Sequence, residues 1–356
     1  MNERTDPSQP GGPYQPSAPD QPAGPAPSAS GPAVELSALR RDYVVRAKAE
    51  GSRLRRRRVV RAVDDITLTV ERGEAVGFVG ANGAGKSTTI KMMTGILQPT
   101  SGQVRVLGRQ PVPERRLLAR EIGVVFGQRS QLWWDLPLRD SYRILAAMHR
   151  LTDAARDARL ERLAEGLDLT AFLDQPVRQL SLGQRMRGEV AAALLHSPAL
   201  VILDEPTIGL DMVSKEGLRR FLREDRTERG TTLFLTTHDM SDVERLCERI
   251  VVVNSGTIAY DGDLAGFRQS LGAPRELVVD LAQPRQALEL PAGAEPAAVE
   301  AEGIRHRIRF QGAQLTVPAL LATISAQAEV RDLSLAEPAI EDLVRQIYAR
   351  GRGSVE

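Results

Sequence analysis

The feature that most constrains this chain is a glycine-rich loop at residues 80–88, with the sequence Gly-Ala-Asn-Gly-Ala-Gly-Lys-Ser-Thr. It matches the pattern G-x-x-x-x-G-K-[ST], in which a tight turn aims several backbone N–H groups at phosphate oxygens. We therefore expect Lys86 to reach the β- and γ-phosphates of a nucleotide and Ser87 to bind Mg²⁺. The loop contributes to the predicted site Gly80, Asn82, Gly83, Ala84, Gly85, Lys86, Ser87 and Thr88.

The residues on either side of this loop fit a strand–loop–helix unit. Residues 75–79, Ala-Val-Gly-Phe-Val, form an apolar run that predicts a buried strand, and a helical pattern begins at Thr88. The dipole of a helix that starts there would add to the affinity for anions. The alternative, a chance glycine turn, leaves the acidic residues further along the chain unexplained.

Composition limits the classes of protein to which the chain can belong. Its 356 residues suffice for two domains, and 47 lysines and arginines nearly balance 46 aspartates and glutamates, which gives no sign of a nucleic-acid partner. The single cysteine, Cys247, excludes an intrachain disulfide and suits a reducing compartment. No apolar run approaches the roughly 20 residues that span a bilayer, so work at a membrane would need another chain to supply the span.

Three regions with different patterns follow one another. Residues 1–33 are rich in proline, glycine and serine, and we expect a disordered tail; a proline-rich docking ligand is the alternative. Residues 34–267 alternate strand-like and helical patterns, which predicts an α/β fold with a mostly parallel sheet and an inserted helical subdomain at about 130–185. Residues 268–356 predict a small C-terminal α+β domain, with strands at 276–280, 305–310 and 314–317 and helices at 318–326 and 340–350.

A pair of acids follows a second buried strand. The apolar run at residues 200–203 ends in Asp204 and Glu205. In a parallel α/β sheet, a carboxylate at the C-terminal end of a central strand lies beside the phosphate-binding loop. We expect Asp204 to hold Mg²⁺, usually through water, and Glu205 to accept a proton from an attacking water. Two solvated acids at a strand end are the alternative.

A third segment, Leu180-Ser-Leu-Gly-Gln184, lies before the acidic pair. It is similar to the Leu-Ser-Gly-Gly-Gln signature of ATP-binding cassette (ABC) proteins, with Leu182 in place of the family's first glycine. Together with the other two motifs it gives residues 34–267 a resemblance to the nucleotide-binding subunit of an ABC transporter. The resemblance implies that ATP and Mg²⁺ bind, and that Ser181 and Gly183 meet the γ-phosphate, with Gln184 in the same site.

The resemblance implies roles for four further residues. Gln128 resembles the glutamine that senses Mg²⁺ and the attacking water, and that hinges the helical subdomain. Asp211, in Gly-Leu-Asp, resembles the loop that crosses to the partner subunit. His238 resembles the histidine that contacts the γ-phosphate during hydrolysis at Glu205, although a lone strand-end histidine is more often structural. Tyr43 resembles the aromatic residue that stacks on adenine.

Some segments narrow the resemblance to one branch. Residues 126–137, 177–187 and 206–211 look like a bacterial exporter-type branch that includes drug-resistance and polysaccharide-export ATPases. In that branch a small C-terminal domain often ends in a Glu-Pro-x-x-Glu-like stretch, and residues 335–342 are similar to it.

The resemblance also implies partners. We expect two copies, or one copy and a related subunit, to face head to tail with each ATP between the loop of one and the signature of the other. A separate membrane-spanning permease would dock near Gln128–Trp134, which places the chain peripherally at the cytoplasmic face of the membrane. The Trp133–Trp134 pair suits such an anchor, with packing inside the helical subdomain as the alternative. The basic run Arg53–Arg61 is either a solvated loop or a contact for anionic lipids.

These expectations define the predicted function and its rivals. The chain is predicted to be an ATPase that powers export through a membrane partner. A soluble ABC-type ATPase in translation or DNA repair is the main alternative, but the chain has one cassette and no long heptad repeat. A module in which the C-terminal region binds a small ligand is a third possibility.

Overall fold

The computed structural model describes residues 31–48, 55–127, 129–270, 274–311, 315–336 and 340–352. The strands are β1 (Val34–Lys48), β2 (Arg55–Val70), β3 (Ala75–Gly80), β4 (Ser101–Val106), β5 (Ile122–Val125), β6 (Leu200–Asp204), β7 (Thr232–Thr236), β8 (Arg249–Asn254), β9 (Thr257–Asp263), β10 (Arg275–Leu281), β11 (Ala294–Glu300), β12 (Arg305–Phe310) and β13 (Val330–Ala336). The helices are α1 (Lys86–Met93), α2 (Arg115–Leu118), α3 (Leu138–Met148), α4 (Asp153–Gly166), α5 (Leu182–Leu194), α6 (Met212–Arg229), α7 (Met240–Leu246), α8 (Leu264–Ser270), α9 (Val317–Ser325) and α10 (Ile340–Arg352).

A six-stranded sheet with the order β5-β6-β7-β3-β8-β9 forms the centre of the molecule. All its pairs are parallel except the antiparallel pair β8–β9. Side chains of β3 alternate between two hydrophobic cores, with Val76 and Phe78 on one face and Ala75 and Val79 on the other. Strands buried on both faces require near-continuous apolar runs. The predicted α/β fold is therefore confirmed.

A three-stranded antiparallel sheet with the order β2-β1-β4 covers one face of the central sheet. Strands β1 and β2 pair along their whole length, from Val34 opposite Val70 to Lys48 opposite Arg55. The base of this ribbon packs into the core, whereas its outer part exposes Val44, Val45, Val59 and Val60. The ribbon carries residues 55–61 of the predicted basic run, which form a strand rather than a loop; Arg53 lies outside the described residues.

Helices α3, α4 and α5 pack together and join the core on the other face of the central sheet. Tyr142 of α3 is buried and donates to the carbonyl of Gly188 on α5 over 3.1 Å. Arg159 of α4 and Asp225 of α6 form a buried ion pair of 2.6 Å. None of the helices in the described part of the chain combines the length and the apolar character that a bilayer crossing needs.

The C-terminal region forms a four-stranded antiparallel sheet with the order β11-β12-β10-β13, and α9 packs on it over a separate small core. The strand predicted at 314–317 is wrong: Thr316 is extended but caps α9 by accepting from the N–H of Ala319, and Val317 is already helical. Gln314 lies outside the described residues. Two strands that the sequence did not predict, β11 and β13, complete the sheet.

Helix α10 does not join this small core. Its apolar residues Ile340, Leu343 and Val344 are buried in the core that also contains α3–α8. Asn254, at the end of β8, donates to the backbone carbonyl of Ile347 over 3.4 Å. The division into a domain at 34–267 and one at 268–356 stays a prediction, but the last helix of the second region contacts the first.

Candidate nucleotide site

A cavity of about 610 Å³ opens where β3, β5, β6 and β7 of the central sheet end. This is the edge at which open α/β sheets bind ligands. Predicted residues that line it are Asn82, Gly83, Gly85, Lys86, Ser87, Thr88, Asp204, Glu205 and His238. The two other predicted residues of the loop, Gly80 and Ala84, are buried and do not line the cavity. The cavity therefore brings together the glycine-rich loop, both acids and the histidine.

The glycine-rich loop needs glycine where it passes under β2. Gly85 has φ 105°, a left-handed conformation, and forms the N-cap of α1. A Cβ atom at this position would lie 2.5 Å from the carbonyl oxygen of Ala62. Only glycine combines that φ with that close approach. The turn places the N-terminus of α1 at the cavity, where it favours phosphate.

Lys86 is almost fully buried at the floor of the cavity. Its ammonium donates to the carbonyl oxygens of Gly80 at 2.5 Å and Ala81 at 3.3 Å. Burial lowers the pKa of Lys86, and the nearby carboxylates of Glu205 and Asp204 oppose this change. A cation in this position can compensate phosphate charge at the loop.

Glu205 and His238 lie in direct contact in the wall of the cavity. Nε2 of His238 lies 3.3 Å from Oε1 of Glu205, and the backbone N–H of His238 donates to Oε2 over 3.2 Å. Burial raises the pKa of Glu205, whereas the contacts with His238 lower it. Glu205 also has φ 58°, a left-handed backbone that costs energy for a residue with a side chain. Such strain is typical of functional sites.

Two of the residues predicted to hold Mg²⁺ lie within the described ranges, and they offer a hydroxyl and a carboxylate. Ser87 and Asp204 both line the cavity, and the Thr236 hydroxyl donates to Oδ1 of Asp204 over 2.5 Å. Mg²⁺ prefers hard oxygen ligands and is usually held by one or two protein groups together with substrate phosphates and water. These two side chains fit that requirement. No cluster of three or more metal-ligating acids, histidines or cysteines occurs within the described ranges.

A buried network packs behind the segments that carry Glu205 and His238. Asp242 of α7 is fully buried and accepts hydrogen bonds from the hydroxyls of Thr207 at 2.6 Å and Thr237 at 3.0 Å. Nε of Arg219 on α6 donates to it over 2.7 Å. Since Thr207 follows Glu205 and Thr237 precedes His238, Asp242 fixes the two segments that carry these side chains. The sequence did not point to this residue.

The signature residues lie away from the cavity. Ser181 caps α5, where its hydroxyl accepts from the N–H of Gln184 over 3.2 Å and its N–H donates to Oε1 of Gln184 over 2.9 Å. A Cβ atom on Gly183 would lie 2.9 Å from the carbonyl oxygen of Gly209. Asp211 caps α6, and hydrogen bonds from the backbone and hydroxyl of Ser214 lower its pKa. These residues form one separate surface, and no described member of the set lines the cavity.

Besides the signature residues and Asp211, one predicted residue within the described ranges, Tyr43, is not brought to the cavity. Tyr43 lies on the outer ribbon with the Arg41 guanidinium 4.9 Å from its ring, and it does not line the cavity. Its role in adenine stacking stays a prediction. Gln128 lies outside the described residues.

Two basic residues that line the cavity were not predicted from the sequence. Lys91 lies one turn after Ser87 on α1, and Arg129 follows Gln128 in the loop after β5; both line the cavity. Helical spacing could have pointed to Lys91, because residues four apart share a face.

Comparisons with known proteins agree with this geometry. A family profile described as "ABC transporter" matches residues 63–208. ABC transporter ATP-binding protein NatA of Bacillus subtilis is 33% identical over 215 residues, which are 60% of this chain and 87% of NatA. Nod factor export ATP-binding protein I of Burkholderia pseudomallei is 38% identical over 200 residues, 56% of this chain and 65% of that protein.

A solved structure shares the fold. It is the dimeric post-hydrolysis state of the ATP-binding cassette MJ0796, bound to ADP and Pi, with a TM-score of 0.57 and 26% identity. The match covers 65% of this chain and 98% of that chain.

Fold and cavity define a P-loop ATPase. The chain belongs to the ATP-binding proteins of ABC transporters, which bind ATP and hydrolyse it to power transport. A soluble ATPase that is not coupled to transport is not favoured.

Proposed function

We propose that this chain powers export through a separate membrane-spanning subunit, as a peripheral protein at the cytoplasmic face of the membrane. Support for export comes from the resemblance of residues 126–137 and 177–187 to exporter-type ATPases and from the similarity to a Nod factor export protein. The small C-terminal sheet, with its own core and one packed helix, fits the accessory domain of that branch.

The residues that line the cavity suggest how hydrolysis proceeds. The N–H groups of the loop and Lys86 hold the β- and γ-phosphates, and Ser87 and Asp204 would hold Mg²⁺, which neutralises charge on the phosphates. Glu205 accepts a proton from, or polarises, the water that attacks the γ-phosphorus. His238, 3.3 Å from Glu205, contacts the γ-phosphate and orients the carboxylate. We further assign Gln128 to sensing Mg²⁺ and the attacking water.

The single observation that carries the proposed mechanism, in which two chains share each nucleotide, is the separation of the signature from the cavity. Ser181, Gly183, Gln184 and Asp211 lie on a different surface from the loop that binds phosphate. That surface exposes apolar side chains: Leu182 is 46% exposed, Met212 86% and Val213 83%. Apolar residues exposed together mark an interaction site. We propose that a second copy, or a related subunit, covers them and brings its signature to the nucleotide.

We assign the contact with the membrane partner to the loop before α3. Trp133 is 37% exposed and Trp134 is 52% exposed, which suits aromatic anchors for another protein. Three arginines of the basic run, Arg57, Arg58 and Arg61, are exposed on the ribbon. We further propose that this run contacts anionic lipid head groups, at about 1 kcal/mol per arginine.

A photocrosslinking residue at position 134 tests the membrane partner. We expect ultraviolet light to join it to a polypeptide with several hydrophobic spans, identified by mass spectrometry. The matched control is the same residue at Met148, which is 63% exposed at the end of α3. Equal crosslinking from both positions, or none from position 134 in native membranes, would contradict the proposal.

A further inference from the structure

Glu189 of α5 is a buried carboxylate outside the nucleotide cavity. Its residue is 5% exposed, and within the described ranges no cation lies at ion-pair distance from it. Neutral hydrogen-bond donors contact both of its carboxylate oxygens instead. The Ser130 hydroxyl donates to Oε1 in a short hydrogen bond, and the N–H of Gln131 donates to Oε2 over 3.1 Å.

A residue whose only task was to fill this space need not be charged. An ionised carboxylate loses most of its hydration on burial, and without a cation at ion-pair distance this cost is offset mainly by hydrogen bonds. Burial raises the pKa of Glu189, while the hydrogen bonds from Ser130 and Gln131 and the charge of Arg185, one turn away on the same helix, lower it. A charged acceptor does, however, make stronger hydrogen bonds than a neutral one. The buried carboxylate therefore costs some stability, but it links the segment that contains Ser130 and Gln131 firmly to α5.

The first of these segments is the loop between β5 and α3. It contains Arg129, which lines the nucleotide cavity, and the exposed pair Trp133 and Trp134. The Gln131 side chain donates to the backbone carbonyl of Glu189 over 3.1 Å, a second bond at the same point.

The second segment is α5, which begins at the signature. Ser181 and Gln184 form the capping box at its N-terminus, and Glu189 lies two turns further along the same helix. One turn before Glu189, the Arg185 guanidinium stands 5.7 Å from the ring of Trp134. Since a short helix moves as a rigid body, a shift of the loop at Glu189 is passed to the signature.

We propose that Glu189 is a positioning residue that ties the tryptophan loop to α5, so that the loop and the signature move together when ATP binds. The inference rests on the proposed function, because it uses the loop as the contact for the membrane partner and the signature as the surface completed by a second copy.

The two tryptophans of the chain provide the test, because both are in this loop. Tryptophan emission of the full chain is recorded while ATP and Mg²⁺ are added. We expect a change in the wild-type chain and at least a threefold smaller change in Glu189→Gln. The ATP affinity, measured by equilibrium dialysis, should differ by less than twofold, because Glu189 does not line the cavity. A residue with only a structural role would lower the unfolding temperature and leave the amplitude intact.

Three further variants make the result specific. Glu161→Gln, an exposed acid on α4, is the matched control and should keep the wild-type amplitude. Ser130→Ala removes one donor at an exposed residue and should give a partial loss without unfolding. The double variant Glu189→Gln/Ser130→Ala should lose no more than Glu189→Gln alone, because both changes break one link.

Three results would overturn the proposal. They are a wild-type amplitude in Glu189→Gln, additive losses in the double variant, and no emission change in the wild-type chain with ATP bound. Failure of the proposed function would show separately, as a wild-type chain that does not dimerise with ATP or whose position 134 crosslinks no membrane-spanning polypeptide.

Discussion

Glu205 combines two features that rarely coincide in a structural residue. Its backbone is left-handed, and its carboxylate is held by the side chain and the backbone N–H of His238. The strain fixes the direction of the carboxylate toward the cavity. A residue that only ended a strand would have no need of either feature, so we assign the general base to Glu205.

Replacing Glu205 with glutamine keeps its size and removes its basicity. We expect ATP to bind while turnover falls by about 10²–10⁴-fold, the usual contribution of a general base. Phosphate release and ATP binding measured on the same sample check this. Glu224→Gln, an exposed acid on α6, is the matched control and should turn over normally. Wild-type turnover in Glu205→Gln would remove this residue from the mechanism.

His196 makes stability depend on pH. Its ring stacks on that of His149 with centroids 3.8 Å apart, and Nε2 lies 3.0 Å from the Ile122 carbonyl oxygen. Burial lowers its pKa to about 4; His149 and Arg159 act in the same direction, and the bond to Ile122 opposes them. Between this value and about 6.5, the unfolded chain binds a proton that the folded chain does not. Stability conferred by the neutral ring is therefore lost as the pH falls through that window.

The variant His196→Phe tests this linkage. It keeps a ring against His149 but cannot take up a proton. Between pH 7 and pH 5 the wild-type chain should lose about 2 kcal/mol more than the variant in the free energy of unfolding. Urea denaturation at several pH values measures the difference. Parallel pH profiles would show that His196 does not titrate differently on folding.

At the scale of elements, α6 and α7 hold the segments that carry Glu205 and His238. Asp242 links these elements through Thr207, Thr237 and Arg219. Because every described partner of this buried carboxylate is a donor, an uncharged replacement leaves the Arg219 cation with only its longer ion pairs, to Glu216 at 3.7 Å and Asp239 at 3.6 Å. The site therefore depends on a residue that does not touch its cavity.

The variant Asp242→Asn should destabilise the chain by about 3–5 kcal/mol, the cost of breaking a buried charge pair from one side. Chemical denaturation measures this change. Glu244→Gln on the same helix removes an exposed ion pair with Arg268 and should cost less than about 1 kcal/mol. Equal losses in the two variants would contradict the role given to the buried network.

Elements differed in how well the sequence predicted them. β3 and β6 were predicted because burial on both faces demands apolar runs, and the phosphate loop because its spacing is specific. β11 and β13 were missed because they are mostly exposed at the sheet edges, so their residues show no hydrophobic pattern. The strand at 314–317 was wrong because a capping threonine before Val317 starts a helix there. Asp242 and Arg129 act through tertiary contacts that no local pattern encodes.

At the scale of the whole molecule, one chain carries two halves of a site on different surfaces. The loop, the acids and His238 line one cavity, and Ser181 to Gln184 belong to another surface. This division has a simple explanation if ATP lies between two chains, each of which supplies one half. It also explains the exposure of Leu182, Met212 and Val213 in an isolated chain.

Mixing two inactive variants tests this central claim most directly. Lys86→Ala removes the phosphate-binding half, and Ser181→Arg blocks the signature half. Each variant alone should lack turnover relative to a wild-type chain that hydrolyses ATP by itself. In a mixed dimer, the intact loop of one chain meets the intact signature of the other, so the account predicts that mixing restores ATP hydrolysis. A mixture that stays as inactive as its two components would contradict a site shared between chains.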